Sequence, residues 1–457
     1  MFASILNTLG NCFKIPELKS RILYTLVVLG ICRVASLVPV PGLDSGLLKA
    51  YFTTGQGAAA AGGFMGMYSM FTGGGFEKCA VGALGIMPYI SSTIVLQLLQ
   101  AVMPFLSKLA REEGGRTKLI QYGRVMTLFL CLAQGAVMAM GWEHASAVFP
   151  GFHGELVLIH NLWWYRIQTT IILATGTMLL MWLGEQITDR GVGNGISLII
   201  TIGILARLPQ AAQGLHDMFF AAGSNFNMFH FIALILLLFA VIAGVVAVTQ
   251  AERKIPVQYA QRVVGRKTYA GGSSFMPLRV NSSGVMPVIF ASAILMFPAM
   301  IFNFLGRRFD VHFFDELAAM LSRGSLVYLL LYGLMILFFS YFWVATNFNE
   351  IQIADDMKKS GGYIPGVRPG QATSAFLHRT MSRITLAGAV FLTIIATIPI
   401  IMQEAMRVQY TVAQFFGGTS LLITVGVMLD TMRQMESHLL MRHYDGFLKK
   451  GRLKGRF

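Results

Sequence analysis

Charged residues are scarce in this sequence of 457 residues. Asp, Glu, Lys and Arg together make up 12% of the chain, whereas about 25% is usual for a soluble domain. Hydrophobic residues make up 55%, and the mean hydropathy is +0.63. This composition excludes an ordinary soluble enzyme and favours a protein that crosses a membrane several times.

Cysteine and catalytic motifs are also scarce. The four cysteines, Cys12, Cys32, Cys79 and Cys131, have neither CxxC spacing nor paired histidines, so we interpret them as small buried hydrophobes. The sequence contains no HExxH, GxSxG or P-loop pattern, and we therefore predict no enzyme activity, no metal site and no cofactor. The first 20 residues lack the apolar core of a cleavable signal peptide.

Long apolar stretches are abundant instead. Segments of about 20 apolar residues are long enough to cross a bilayer as helices. The sequence therefore predicts an all-α polytopic membrane protein with ten transmembrane helices. These are predicted at residues 21–40, 79–103, 121–141, 163–184, 194–214, 229–249, 283–304, 325–346, 383–403 and 411–431.

The basic residues are distributed unevenly between the predicted loops. With the N-terminus in the cytoplasm, 27 of the 36 Lys and Arg residues fall on the cytoplasmic side, 8 on the opposite side and Arg33 within the first helix. Asp and Glu divide into 12 cytoplasmic residues and 9 on the opposite side. The net charge of +15 is thus entirely cytoplasmic. Because cytoplasmic loops characteristically carry this excess, we predict that both termini are cytoplasmic.

Two short segments nearly repeat each other inside predicted helices: GIMPYI at 85–90 and GVMPVI at 284–289. Each places Gly and Pro where a long apolar helix begins or bends. Interrupted hydrophobic segments in corresponding positions of two halves indicate a substrate path. We predict an N-terminal half at 1–215, a C-terminal half at 216–432 and a basic tail at 433–457.

Ionisable residues are almost absent from the predicted spans, where Arg33 is the main exception. Ion-coupled transporters usually retain such groups inside their helices. The apolar spans therefore favour a conduit closed by side-chain packing over a secondary transporter of a small solute, which remains the alternative.

Three loops stand out. The cytoplasmic loops Gln250–Val280 and Asn347–Arg383 are long and basic, which is consistent either with setting topology or with docking to an RNA-rich or acidic surface. On the opposite side, Gln56–Phe76 is rich in Gly, Ala and Met. We interpret it as a re-entrant segment packed on protein, with a movable element in a cavity as its functional form.

The run Ala80–Leu99, AVGALGIMPYISSTIVLQLL, resembles the signature of the SecY/Sec61α family, the pore subunits of the protein-conducting translocon. Further matches follow in order along nearly the whole chain. They are Arg33 with Pro39–Gly42, Asp189–Ile196, Val280–Pro287, Ile364–Gly370 and Gly417–Ile423.

The resemblance implies a fold and a function. It implies two pseudo-symmetric inverted halves, helices 1–5 and 6–10, around a central hourglass pore. The implied function is that of a passive gated conduit. Such a conduit moves unfolded polypeptides across the cytoplasmic (inner) membrane and releases transmembrane segments sideways into the bilayer.

The resemblance also assigns site residues by matching positions. The pore ring falls on Ile86, Ile90, Ile196, Ile200, Ile289 and Ile423, although an isolated isoleucine normally faces lipid or core. The plug, at about 66–76, includes Gly66, Met67, Met70, Phe71, Gly73, Gly74, Gly75 and Phe76. Lateral-gate candidates between helices 2 and 7 are Ser91, Gln97, Gln134, Asn281 and Ser292, whose alternative role is bundle packing. Docking positions are Arg253, Lys254, Arg266, Lys267 and Arg368.

The implied partners are those of the family. They are the SecE and SecG subunits, the SecA motor ATPase, the ribosome, signal sequences and nascent polypeptides, YidC, SecDF and membrane lipids. Energy would come from translation or from the motor, since the pore subunit itself hydrolyses nothing.

Overall fold

The structure is a computed structural model, and all structural statements below concern the residues it describes. These are 15–53, 68–69, 71–112, 114–145, 149, 152, 154–220, 228–259, 262–264, 267–269, 272–309, 312–321, 325–406, 408, 412–413, 415 and 419–450.

Helices dominate the described part of the chain. In the first half of the sequence they are α1 Pro16–Ala35, α2 Ser45–Thr53, α3 Met87–Val102, α4 Pro104–Arg111, α5 Gly115–Glu143, α6 Leu162–Arg190, α7 Gly195–Leu205 and α8 Leu208–Phe220. In the second half they are α9 Met228–Gln250, α10 Met286–Phe309, α11 His312–Met320, α12 Leu326–Asn347, α13 Glu350–Lys359, α14 Gln371–Met406 and α15 Thr419–Lys450.

Many of these helices have the length and composition of membrane spans. Within the described ranges, 6 are long and apolar enough to cross a bilayer, or 7 if the bent pair α3 and α4 is one span. Each of the ten predicted segments overlaps a helix. Exposed faces are apolar, as on α1 at Leu23, Leu26 and Val27. The protein is therefore a multi-pass membrane protein, and ten spans are consistent with its helices.

Asparagine and serine begin several of the helices. The Asn194 side chain accepts hydrogen bonds from the backbone N–H groups of Ile196 (3.1 Å) and Ser197 (3.3 Å). Ser325 caps α12 in the same way. Such caps satisfy N–H groups that have no partner inside the helix, and therefore fix where the helix starts.

The two repeated segments form the same local structure. Gly85 and Gly284 have positive φ angles of +58° and +62°, a conformation that glycine adopts without steric cost. In each segment a helix then begins two residues later, with proline as its second residue. Proline suits the first helical turn because it lacks an N–H donor and fixes φ. The predicted role of Gly and Pro at a helix start is thus confirmed.

Two predicted spans differ from the helices observed. The second was predicted to begin at residue 79, but α3 begins at Met87 because turns occupy 72–86. Its 16 residues give a length of about 24 Å, shorter than the bilayer core of about 30 Å. The fifth span breaks at Ala206–Arg207 between α7 and α8. Pro209 accounts for this break, since proline has no N–H to donate to the carbonyl of Leu205, four residues earlier, and is tolerated in the first turn of the new helix.

A small antiparallel sheet, which the sequence did not predict, lies in the two basic loops. Its order is β4 (Ser273–Arg279), β1 (Glu252–Tyr259), β5 (Gly362–Tyr363). A separate hairpin pairs β2 (Arg262–Val264) with β3 (Lys267–Tyr269). Residues from both loops and from α14 form one apolar cluster beneath the three-stranded sheet. The buried members of the cluster are Ile255, Leu278, Ile364, Leu377, Met381 and Ile384.

Contacts divide the chain into two compact units. Unit 1 comprises Met1–Leu215 and Ile423–Phe457, and unit 2 comprises His216–Leu422. Most of α15 therefore packs with unit 1, where Met435 contacts a cluster containing Leu18 and Val192. The predicted pseudo-symmetric halves are defined by sequence repeats, and they stay a prediction.

Candidate functional site

Three of the six predicted ring residues line one small cavity in unit 1. Ile86 precedes α3, Ile90 lies in its first turn, and Ile200 lies on α7. All three are buried, with 4%, 4% and 6% of their surface exposed. The cavity measures about 20 Å³, which is room for a single water molecule. Branched aliphatic side chains thus close this layer of unit 1.

The other three ring residues lie elsewhere. Ile196, partly buried, begins α7 against α6, and Ile423 on α15 is buried in unit 1. Neither lines the cavity. Ile289 is buried on α10 in unit 2. The complete ring stays a prediction.

The glycine-rich segment packs directly against α7. Of the predicted plug residues, Gly66, Met67 and Met70 lie outside the described residues, while Phe71, Gly73, Gly74, Gly75 and Phe76 are buried. A Cβ atom added at Gly73 would lie 2.9 Å from the Gly203 Cα. Gly73 therefore allows this backbone to approach α7 more closely than a larger residue would permit, whereas a Cβ atom at Gly203 would meet the segment at an ordinary distance of 3.5 Å.

Arg33, the charged residue inside the first predicted span, has a direct role at this site. Its Nη1 atom donates to the Gly73 carbonyl oxygen at 3.1 Å. The guanidinium also lines the cavity shared with Ile86 and Ile90. Sequence reasoning singled out Arg33 as unusual within a span, and the structure supplies its partner.

Phe76 anchors the far end of the glycine-rich segment in a cluster of aromatic rings. Its ring centroid lies 5.5 Å from that of Tyr68, 6.1 Å from Phe149 and 6.3 Å from Trp142. Aromatic pairs at such distances contribute beyond the area they bury. This end of the segment is therefore held by apolar packing.

Glu77, the residue after Phe76, forms a buried ion pair with Arg207 that sequence reasoning missed. Glu77 Oε1 accepts from Arg207 Nη2 and also from Ser69 Oγ, the latter at 2.7 Å. The side chains of Arg207 and Glu77 are only 14% and 12% exposed. An arginine at the end of an apolar stretch was the available signal, but sequence alone could not identify its partner.

The predicted lateral-gate residues divide between the two units. Ser91, Gln97 and Gln134 are partly buried in unit 1, and the Gln97 Oε1 atom is buried without a hydrogen-bond partner among the described residues. In unit 2, Asn281 accepts from Ser283 Oγ (3.3 Å), and Ser292 Oγ donates to the Ile289 carbonyl (2.8 Å). These are local contacts, and the gate stays a prediction. Ser92, which was not predicted, joins α3 to α5 by donating to the Gly123 carbonyl at 2.8 Å.

The described cysteines are not a reactive or metal site. Cys32, Cys79 and Cys131 are free and buried, which confirms their interpretation as small hydrophobes, and Cys12 lies outside the described residues. Within the described ranges, no cluster of His, Cys, Asp or Glu could hold a metal ion.

The sheet in the two basic loops presents a basic and aromatic face opposite its apolar cluster. Register places Lys254, Arg279, Phe275 and Tyr363 on this face, because side chains alternate along a strand and Ile255 points to the cluster. Glu252 lies on the same face, directly opposite Arg279, and all five side chains are exposed.

The predicted docking residues occupy different parts of this region. Arg253, although exposed, alternates to the side of the sheet that carries the cluster, whereas Lys254 lies on the basic and aromatic face. Arg368 is exposed in the second loop. Lys267 lies in β3 and Arg266 outside the described residues. Sequence reasoning did not select Arg279.

Comparisons with known proteins show the family and the fold of this chain. The model of the SecY family matches residues 80–432. The protein translocase subunit SecY of Chlamydia trachomatis is 43% identical over 98% of this chain and 99% of its own length.

Two solved structures share the fold. In one, the plug domain of SecY is described as stabilising the closed state of the translocation channel and maintaining a membrane seal; it matches with a TM-score of 0.60 at 18% identity over 94% of this chain and 97% of that chain. The other is Sec61 in the canine ribosome–channel complex from the endoplasmic reticulum, with a TM-score of 0.54 at 16% identity and the same coverage.

The relative's identity over nearly the full length and the extent of the family match confirm the resemblance first drawn from the GIMPYI run. The chain belongs to the SecY family.

Proposed function

We propose that this chain is the central channel subunit of a Sec translocon. It is a passive gated conduit that moves unfolded polypeptides across the membrane and releases transmembrane segments sideways into the bilayer. One observation carries the proposal: Ile86, Ile90 and Ile200 close around a space for one water molecule, with a glycine-rich segment packed beside them on α7.

The chemistry of this layer suits a seal that must open for a peptide. Isoleucine side chains offer ions and water no polar partner, so a narrow ring of them excludes both by dewetting. The same side chains yield around an extended chain without breaking hydrogen bonds. We assign the remaining ring positions to Ile196, Ile289 and Ile423, and the side exit to the seam between α3 and α10.

In this proposal the channel subunit catalyses no reaction itself. Energy is supplied by translation or by the SecA motor, and SecE and SecG complete the complex, with YidC and SecDF as accessory partners. The family has a channel activity, and the described residues contain no metal-binding cluster. The membrane is the bacterial inner membrane, with both termini in the cytoplasm, as the positive cytoplasmic loops favour.

The basic and aromatic face of the cytoplasmic sheet is the proposed docking surface. Lys254 and Arg279 supply positive charge, and Phe275 and Tyr363 supply exposed rings. Cations beside exposed aromatic rings suit the phosphates and bases of RNA. A ribosome is therefore the partner that this face fits best.

Crosslinking tests the conduit directly. Photoreactive groups at residues 90 and 289 are expected to capture a stalled nascent chain, because both side chains line the proposed path. A group at Ile204, which is buried on α7 but does not line the cavity, serves as the control. Equal capture at all three positions, or capture at none, would contradict the proposal.

The seal is tested by conductance. Replacing Ile90 and Ile289 with glycine in the reconstituted complex is expected to raise the ion conductance of the idle channel in a planar bilayer, because the aliphatic barrier is removed. Ile204→Gly is the matched control. Unchanged conductance in the Ile90 and Ile289 variants would refute the ring.

A further inference from the structure

We propose that Glu77, Arg207 and Ser69 form a latch that holds the glycine-rich segment against α7, and that this latch must break before the channel opens. The inference rests on the proposed function and identifies the residues that control its closed state. All three residues belong to unit 1.

The latch has a specific geometry. A single carboxylate oxygen, Glu77 Oε1, accepts hydrogen bonds from both Arg207 and Ser69. Ser69 and Glu77 flank the glycines 73–75, so the carboxylate joins both ends of that turn to one guanidinium. Arg207 follows the C-terminal end of α7, where its backbone N–H donates to the Ile204 carbonyl at 3.1 Å. A cation is favoured there because helix C-termini carry partial negative charge.

The glycine turn itself has few other means of attachment. Its glycines have no side chains to bury, so packing contributes little beyond Phe71 and Phe76 at its ends. Its other described polar contacts include the bond from Arg33 to the Gly73 carbonyl and the bond from the Ala80 N–H to the Gly75 carbonyl at 2.9 Å. A buried charge pair is therefore a large part of what fixes the segment, because breaking such a pair leaves an uncompensated buried charge.

The ion pair between Glu77 and Arg207 is also incompletely hydrogen-bonded, which favours its separation. Arg207 Nε is buried without a hydrogen-bond partner among the described residues, so the guanidinium is not fully compensated for its loss of water. Arg207 follows the C-terminal end of α7, seven residues after Ile200, which corresponds to about 10 Å at the helical rise of 1.5 Å per residue. Detachment of the segment would uncover this stretch of α7, including Gly203, next to the cavity.

The surrounding charges make Glu77 the more important partner. Burial is the largest cause that lowers the pKa of Lys78. The nearby cations Arg33, Lys49 and Arg207 lower this pKa as well, and the Glu77 carboxylate raises it. Several cations thus gather around one carboxylate, and removal of Glu77 leaves them to repel one another.

The test uses the complete translocon reconstituted in planar bilayers without polypeptide. Glu77→Gln is expected to raise the idle ion conductance about tenfold, and Arg207→Gln to raise it less. The exchange Glu77→Arg with Arg207→Glu is expected to return conductance towards the wild-type value, because the pair is re-formed. Passage of a secretory polypeptide should continue in all three variants.

The chain offers a matched control pair. Glu143 and Arg166 form a bidentate ion pair in the same unit, and the described hydrogen bonds of this pair do not involve the segment. Neutralising either one is expected to leave idle conductance unchanged. A conductance rise of the same size in these controls would overturn the latch.

Two further outcomes also decide the question. If Glu77→Gln seals like the wild type, or the exchanged pair leaks as much as the single variants, the latch does not exist. If Glu77→Gln fails to accumulate, Ser69→Ala removes one bond to the same carboxylate and must raise conductance measurably. A wild-type complex that passes no polypeptide would refute the proposed function. The idle conductance of the Glu77, Arg207 and Ser69 variants would still test the latch.

Discussion

Gly73 and Gly74 have similar backbone angles but very different surroundings. Their φ values are +63° and +82°, in the left-handed region that costs other residues about 1–2 kcal/mol. A Cβ atom at Gly73 would clash with the Arg33 guanidinium and lie 2.9 Å from the Gly203 Cα, whereas one at Gly74 would meet nothing within 4 Å. The pair therefore separates backbone strain from steric contact.

Alanine substitutions at these two positions should have different effects on the channel. Both Gly73→Ala and Gly74→Ala are expected to lower the melting temperature because both place alanine at positive φ, and Gly73→Ala is expected to lower it further because its Cβ atom also clashes with its neighbours. Only Gly73→Ala should raise idle conductance severalfold, since it pushes the segment off α7. Thermal unfolding and planar-bilayer recording measure the two effects. Equal conductance in the two variants would show that the close packing of Gly73 against Arg33 and Gly203 does not maintain the seal.

Single residues differ in how far sequence reveals them. Gly85 and Pro88 were predictable as a helix start because their conformational preferences are local. The partnership of Glu77 with Arg207 was not, since 130 residues separate them. A charged residue near an apolar span indicates that a partner exists, but only the packed chain brings that partner into contact.

At the scale of elements, α5 and α6 are joined by two reciprocal ion pairs. Near one end of the helix pair Arg124 binds Glu185, with distances of 3.1 and 2.7 Å, and at the other Arg166 binds Glu143, with distances of 2.8 and 2.9 Å. Each helix contributes one arginine and one glutamate. Bidentate pairs of this kind fix orientation as well as distance.

The two pairs should contribute unequally to stability. The Glu143 side chain is 7% exposed and Glu185 is 19% exposed, while Arg166 and Arg124 are 33% and 47% exposed. Arg166→Gln is therefore expected to lower the melting temperature more than Arg124→Gln, because it leaves the more deeply buried carboxylate unpaired. Thermal unfolding of each variant, alone and combined with its glutamate-to-glutamine partner, measures the coupling. The opposite order would show that burial does not govern these pairs.

Helices were easier to predict than strands for a physical reason. A membrane helix satisfies its own backbone and needs only a long apolar run, which is visible locally. Strand β5 contains two residues, and β1 contains Pro256 and pairs with segments on either side of it in the sheet. Their structure depends on partners distant in sequence, so the loops resembled solvated connections.

At the scale of the whole molecule, the composition and charge distribution predicted a multi-pass membrane protein, and the family match confirms the type of fold. The course of α15 was not predictable in the same way. Its residues from Ile423 onwards pack with unit 1, where the Gln434 side chain accepts from the Gly193 backbone N–H at 3.1 Å. No periodicity in the sequence specifies which distant segment an apolar helix will contact.

Docking can be tested by reversing charges on opposite faces of the sheet. Lys254→Glu with Arg279→Glu is expected to weaken ribosome binding and to reduce its dependence on salt, since fewer phosphates are neutralised. Arg253→Glu, on the other side of β1, should have a smaller effect. Co-sedimentation with ribosomes at several salt concentrations measures both. An equal loss for Arg253→Glu would place the contact on the loop as a whole and not on one face of the sheet.

The pairing of β1 with β5 has a consequence for the order in which the protein is made. Tyr259 pairs with Gly362, which is synthesised 103 residues later. At about 5–20 residues per second, the edge of β1 waits roughly 5–20 s for its partner, while α10 and α12 are produced in between. A partner that recognises the finished sheet would therefore distinguish a nearly complete chain from one still early in its own synthesis.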